Sequence, residues 1–126
     1  MEGYEYGIFL RDSGIYIGNA GLINISVLHN HAEITYYIDE NYRNAGYATE
    51  AAREMLRLGF EYFGFEKITG LCMTVNPSSR RIMEKLGMKY EGIMREELLK
   101  NGVYYDIERH SILKGEYITN CKVERN

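Results

Sequence analysis

The stretch Tyr42-Arg43-Asn44-Ala45-Gly46-Tyr47-Ala48-Thr49-Glu50-Ala51 decides how this chain reads. Just before it, residues 32–39 (AEITYYID) are β-branched and aromatic, which predicts a strand. Just after it, Ala48, Ala51, Ala52, Met55, Leu56, Gly59, Phe60, Tyr62 and Phe63 recur mostly every three or four residues. That spacing predicts an amphipathic helix from Gly46 to near Gly64. The chain therefore passes from a strand, through a loop of small residues, into a helix. Free backbone N–H groups at a helix start, with the helix dipole behind them, suit a phosphate. The stretch is neither a Walker A loop nor a GxGxxG dinucleotide turn. A plain strand–helix turn fits the same residues.

Working outward, residues 4–10 alternate loosely and end in the turn signal Arg11-Asp12-Ser13-Gly14. Residues 15–28 (IYIGNAGLINISVL) predict a second strand, in which Gly18 and Gly21 point to close backbone approach or a bulge. Residues 67–75 (KITGLCMTV) are apolar enough for a buried central strand. Asn76-Pro77 opens a second helix, with Asn as N-cap and Pro at the first helical position, and Gly87 closes it. Residues 88–100 and 103–113 flank Asn101-Gly102, a strong hairpin signal. The order is three strands, helix, strand, helix and two strands, a mixed sheet with helices on its faces. The 32–75 unit is expected to be a right-handed parallel crossover. From Lys114 onward the chain turns polar and loses its alternation, predicting a tail that frays beyond a core at about residues 4–113.

The chain has 126 residues, enough for one domain that buries a core without metal or disulfide staples. With 45% hydrophobic and 26% charged residues it reads as globular rather than disordered. Fifteen basic and 18 acidic residues give a net charge of −3 with no basic block, which argues against nucleic acid as the partner. No apolar run is long enough to span a membrane and no signal peptide opens the chain. Cys72 and Cys121 form no CxxC pair and fit a reducing, cytoplasmic setting.

The residues 43–48 match the pattern Arg/Gln-x-x-Gly-x-Gly/Ala, and here the sequence resembles the GNAT superfamily of acyl-CoA-dependent N-acetyltransferases. Residues 32–38 look like that family's central cofactor strand. Residues 76–88 (NPSSRRIMEKLGM) are similar to its N-x-x-S-x-x-x-x-E-K-L-G-F element, and residues 92–106 resemble the last hairpin of its RimJ/RimL-like branch. That branch acetylates ribosomal-protein N-termini and also includes polyamine acetyltransferases. The resemblance covers roughly residues 6 to 113. It implies an α/β (α+β) fold with a mixed, mostly antiparallel twisted sheet, and a direct transfer of acetyl from acetyl-CoA to a primary amine.

The resemblance also implies roles for single residues. The loop Arg43, Asn44, Ala45, Gly46, Tyr47, Ala48 and Thr49 would hold the acetyl-CoA pyrophosphate. Main-chain groups of Tyr37 and Ile38 would pair with the pantetheine arm, and a bulge in their strand would open the slot for it. Asn76 would bond the same arm, Ser79 would sit by the sulfur and could assist the leaving thiolate by hydrogen bonding (an ordinary first-turn serine is its other reading), and Arg81 and Lys85 could meet phosphate. Amine attack needs a base, and Glu33 stands where some family members carry one. A carboxylate on the strand's polar face, paired or solvated, is the other reading of Glu33. Many members place an acid tyrosine in the second helix, but here Met83 fills that slot. Tyr104 and Asp106 would form part of the acceptor wall, with Asp106 drawing a cationic amine.

No metal is expected. His29 and His31 lack a carboxylate partner, His110 reads as structural and Cys72 as inert core. Glu91, Glu96 and Glu97 read as a solvated strand face. Family domains begin with a further strand and two helices, whereas this chain starts almost at the second strand. A longer parent protein, a homodimer covering the open face, or a reduced module that binds acyl-CoA without turnover would each account for that.

Overall fold

The computed structural model describes residues 3–125. Six strands form one sheet in the order β1-β2-β3-β4-β6-β5. They are β1 (Tyr4–Phe9), β2 (Tyr16–Ser26), β3 (His31–Ile38), β4 (Lys67–Met73), β5 (Lys89–Lys100) and β6 (Val103–Leu113). All neighbours pair antiparallel except β3 and β4, which are parallel. A parallel pair needs a long crossover, and the amphipathic segment supplies it as α1 (Tyr47–Arg57) with a π-helical turn at Leu58–Tyr62. The other helices are α2 (Pro77–Lys85) and α3 (Lys114–Arg125). No helix among the described residues is long and apolar enough to cross a membrane.

One buried cluster joins sheet and helices. Leu22 on β2, Ile34 on β3, Ile68 on β4 and Ile112 on β6 meet Ala52, Met55 and Leu56 of α1 and Met83 and Leu86 of α2. Phe60 and Phe65 fill its end. The glycines of β2 serve close approach: a Cβ on Gly18 would lie 2.0 Å from the carbonyl oxygen of Tyr37, and one on Gly21 2.6 Å from that of Tyr4.

Two expectations are corrected. Residues 114–125 form a helix rather than a frayed tail. Tyr117 anchors it by stacking on Phe60 at 4.9 Å and donating a hydrogen bond to Glu61. At its start, Glu116 accepts from the Leu113 N–H at 2.9 Å and pairs with Lys89. The second correction concerns the bulge expected in the cofactor strand. The β2–β3 register runs unbroken from Glu33 to Ile38, and the extra residue falls on β2 between Ile23 and Ser26. There Asn24 takes a left-handed φ of 48°, which Asn tolerates better than most residues. The bulge resets the alternation, so that Leu22 and Ile25, three apart, both reach the core.

Candidate active site

The parallel pairing of β3 and β4 stops at Ile34 and Gly70. Beyond it β3 continues to Ile38, while β4 stays with β6 as far as Met73 opposite Ile107. The two strands therefore part, and a cleft of about 1000 Å³ opens there between the α1 loop and the first turns of α2. It is lined by Tyr36, Tyr37 and Ile38 of β3, by Tyr42, Arg43, Asn44, Gly46, Tyr47, Ala48 and Thr49, and by Asn76, Ser79, Arg80, Arg81, Glu84 and Lys85 around α2. Of the residues that the sequence assigns to the cofactor, only Ala45 is not part of this lining.

The loop is built for approach. Gly46 has φ 83°, a conformation costly for a side chain, and Asn44 has φ 63°. Gly46 is the N-cap of α1 with no side-chain cap, and the first bond of the helix runs from the Glu50 N–H to the Gly46 carbonyl. The N–H groups of Tyr47, Ala48 and Thr49 therefore lack helical acceptors. Arg43 donates from Nε to the Ile38 carbonyl at 2.9 Å and lies 5.7 Å from the centre of the Tyr37 ring. This pins the guanidinium at the end of β3 and takes the Ile38 carbonyl as its acceptor. The lining holds four cations, Arg43, Arg80, Arg81 and Lys85, against one carboxylate, Glu84.

Asn76 caps α2 by accepting from the Ser79 N–H at 3.2 Å, so its NH₂ group is what is left for a ligand. The Ser79 hydroxyl lies 2.8 Å from that of Tyr36. Met83 is 1% exposed and packs on Gly70, so nothing at that position can donate a proton to the cleft. Behind α2 lies a buried polar group. Arg80 donates from Nε to both oxygens of Glu108, at 3.0 and 2.9 Å, and from Nη2 to the Thr74 carbonyl. His110 Nε2 is 3.2 Å from Glu108, and its buried Nδ1 has no partner. These bonds, above all those from Arg80, hold the Glu108 carboxyl below its ordinary range against burial. Cys72, Glu108 and His110 converge within 4.8 Å, but the positive charge beside the carboxylate is already supplied by Arg80. Burial pushes the Cys72 thiol up, which keeps it an unreactive core group.

Other candidates lie outside the cleft lining. Glu33 accepts from the Asn24 amide at 3.0 Å, in the paired part of β3 just before the strands part. Asp106 accepts from the Glu96 N–H at 2.7 Å and so closes the bulge of β5 between Met94 and Leu98. Tyr104 is exposed near the hairpin tip, opposite Leu99. Glu91, expected to be solvated, is tied into a network with Lys67 at 3.1 Å, Arg109 at 2.9 Å and the Ser111 hydroxyl at 2.7 Å.

The profile of the acetyltransferase (GNAT) domain matches residues 1–89. The chain belongs to the GNAT acetyltransferase family. It is 35% identical over 114 residues to the uncharacterized N-acetyltransferase YoaA of Bacillus subtilis, covering 90% of this chain and 64% of that protein. It is 30% identical over 106 residues to a spermidine N(1)-acetyltransferase of Vibrio cholerae, covering 84% of this chain and 61% of that one. The chain thus spans less than two thirds of these relatives. Among solved structures, the spermidine/spermine N-acetyltransferase SpeG from Vibrio cholerae superposes with a TM-score of 0.89 at 26% identity, over 95% of this chain and 72% of that one. In this GNAT domain the sequence singles out the loop before α1, which lines the cleft, but gives Tyr36 no role. The only signal for Tyr36 was its place on the helix-facing side of β3, which alone reads as core.

Proposed function

We propose that this GNAT domain carries acetyl-CoA-dependent N-acetyltransferase activity, moving an acetyl group to a primary amine by direct attack. The observation that carries the reading is the parting of β3 and β4 over a cation-rich cleft whose mouth is an uncapped helix start. Acetyl-CoA supplies the activated acyl group, and the donors fit its charge. Unpaired N–H groups of Tyr47, Ala48 and Thr49, with Arg43, Arg81 and Lys85, suit a pyrophosphate and a further phosphate. Backbone groups of β3 beyond Ile34 have no β4 partner. They suit an extended arm, and their N–H donors suit an oxyanion. Ser79 faces the sulfur in this reading, and Asn76 holds the arm through its NH₂.

Glu33 takes the amine proton. One of its oxygens is held by Asn24, which leaves the other to work through water at the edge of the split. The hairpin carrying Tyr104 and Asp106 forms the acceptor's side. The acceptor is a small cationic amine or a protein N-terminus; a relative named for spermidine supports the first. The setting is cytoplasmic, and a second copy of the chain is a further partner in this reading.

A non-catalytic acyl-CoA-binding module is the second reading, favoured by the burial of Met83 and by Glu33 lying outside the cleft lining. Substituting Glu33→Gln separates the two. A catalyst loses turnover and keeps cofactor affinity, whereas a binding module changes in neither. The first test is calorimetric titration with acetyl-CoA, with Ala48→Glu as control. A carboxylate in the first turn favours the helix but repels phosphate, so that variant should fold as the parent does. Binding in the micromolar range, lost in Ala48→Glu, is the expected result. A folded parent chain that binds no acetyl-CoA overturns the proposal.

A further inference from the structure

The slot where a proton donor would stand on α2 is filled by Met83, 1% exposed in the core. A donor to the leaving sulfur must therefore come from elsewhere. The Tyr36 hydroxyl meets Ser79 in two ways: 2.8 Å from Oγ, where either atom can donate, and 3.3 Å from the carbonyl oxygen. Each hydroxyl has one proton. If Ser79 gives its proton to Tyr36, the tyrosine proton is left with the carbonyl, at a distance beyond the usual O–H···O range. If Tyr36 gives its proton to Ser79 Oγ, the short contact is made and the serine proton is released. A phenol is also the stronger donor of the two. Burial pushes its ionisation above the ordinary value, so it stays protonated throughout the working range of pH.

The place matters as much as the bond. Tyr36 lies two residues past Ile34, the last residue of β3 paired to β4, so its hydroxyl stands at the opening of the split. Its ring packs against the core and fixes it. Ser79 is fixed from the other side by the Asn76 cap. Ser79 also neighbours the Cys72 thiol, which stays neutral and is a weak acceptor. A serine proton shared with so weak a partner is available to a charged one.

We propose that Tyr36 is a positioning residue: its hydroxyl donates to Ser79 Oγ and turns the Ser79 proton into the cleft, onto the sulfur that leaves. This rests on the acyl-transfer reading above. In the reaction the amine nitrogen bonds to the acyl carbon, and the carbon–sulfur bond breaks with its electron pair going to sulfur. The ammonium gives up two protons, one to solvent by way of the base and one to the sulfur. Tyr36 and Ser79 lose none; they hold the thiolate by hydrogen bond until it is protonated.

The test needs no acceptor. Coenzyme A and desulpho-coenzyme A, which lacks the thiol, are titrated calorimetrically between pH 7 and 9.5. The ratio of the two affinities cancels titration of the protein's own groups around the site: Cys72 on β4, Arg80, Arg81, Glu84 and Lys85 on α2, Glu108 on β6 and Arg43 before α1. A hydrogen bond to a charged sulfur is worth roughly tenfold or more. The ratio should therefore rise about tenfold with pH in the parent chain. Tyr36→Phe keeps the ring and should flatten the rise to within about threefold while acetyl-CoA still binds, and Ser79→Ala should match it. Site-specific 3,5-difluorotyrosine in place of Tyr36 brings the phenol's ionisation down into this pH range, where a phenolate can no longer donate, so it too should flatten the rise, and it tests the idea even if Tyr36→Phe folds poorly. A flat ratio in the parent chain, or a full rise in Tyr36→Phe, overturns the inference and leaves the acetyltransferase reading standing. Absence of acetyl-CoA binding in the parent chain overturns that reading and this inference with it.

Discussion

Glu91 shows how a residue on an exposed edge strand can still carry stability. Its carboxylate accepts from the Ser111 hydroxyl and pairs with Lys67 and Arg109. These partners, the Ser111 bond foremost, pull its ionisation down to about 2 from an ordinary 4.5. A carboxyl with a depressed folded value binds fewer protons folded than unfolded, so stability falls as pH drops. The loss begins near the unfolded value of 4.5 and is complete near 2. The side chain is 32% exposed, so solvent screening limits its worth to about 1 kcal/mol. Glu91→Gln should cost about that much at pH 7, and its deficit against the parent should close between pH 4.5 and 2. Urea unfolding at a series of pH values measures it; a deficit that stays constant down to pH 2 would mean that the network is not ionic. The Arg80–Glu108 pair is a sharper case, since the Glu108 side chain is 6% exposed and that of Arg80 38%. Removing Arg80 strands a buried carboxylate, whereas removing the Glu108 charge leaves a guanidinium that reaches solvent, so Arg80→Ala should lower the midpoint of thermal unfolding more than Glu108→Gln does. The reverse order would show that the carboxylate finds another partner.

At the scale of elements, α3 depends on one aromatic anchor. Tyr117 stacks on Phe60 and bonds Glu61, while Ile118 and Val123 of the same helix are exposed. Tyr117→Ala should cost about 2 kcal/mol and remove hydrogen-exchange protection from residues 114–125. Tyr117→Phe keeps the stack and should cost about 1 kcal/mol. Protection unchanged in Tyr117→Ala would place the anchor elsewhere. This dependence also explains why α3 was not legible in the sequence. A helix held by one aromatic side chain and the polar tether of Glu116 has no apolar stripe, so 114–126 reads as polar tail. The hairpin was legible from Asn101-Gly102, α2 from the Asn76 cap, Pro77 and Gly87, and the loop before α1 from its small residues, because those signals are local. The parting of β3 from β4 was read as a bulge in β3. Where the strands part, chain-distant pieces meet: α2 follows β4 and reaches back to Tyr36 through Ser79. No single stretch of sequence encodes that contact. The partner of Asp106 was not legible for a similar reason: it is the Glu96 backbone across the hairpin.

At the scale of the whole molecule, a chain of net charge −3 gathers four cations around one cleft. The loop, β3 and α2 come from separate parts of the chain, and a ligand spanning them would tie all three to the folded state. Folding and binding are then linked. At one hundred times its dissociation constant, a ligand of the folded state alone adds about 2.7 kcal/mol. For a domain of this size that is a rise of roughly 10 °C in the unfolding midpoint. Acetyl-CoA should produce that rise in the parent chain and little of it in Ala48→Glu. Because Arg43, Arg81 and Lys85 are exposed at the cleft, going from 50 to 500 mM salt should shrink the rise at fixed ligand concentration. Desulpho-coenzyme A should stabilise nearly as well as coenzyme A at pH 7, where the thiol is mostly neutral. A rise that salt leaves untouched would mean that the cations do not face the ligand's charge, and that the cleft holds its ligand by the arm instead.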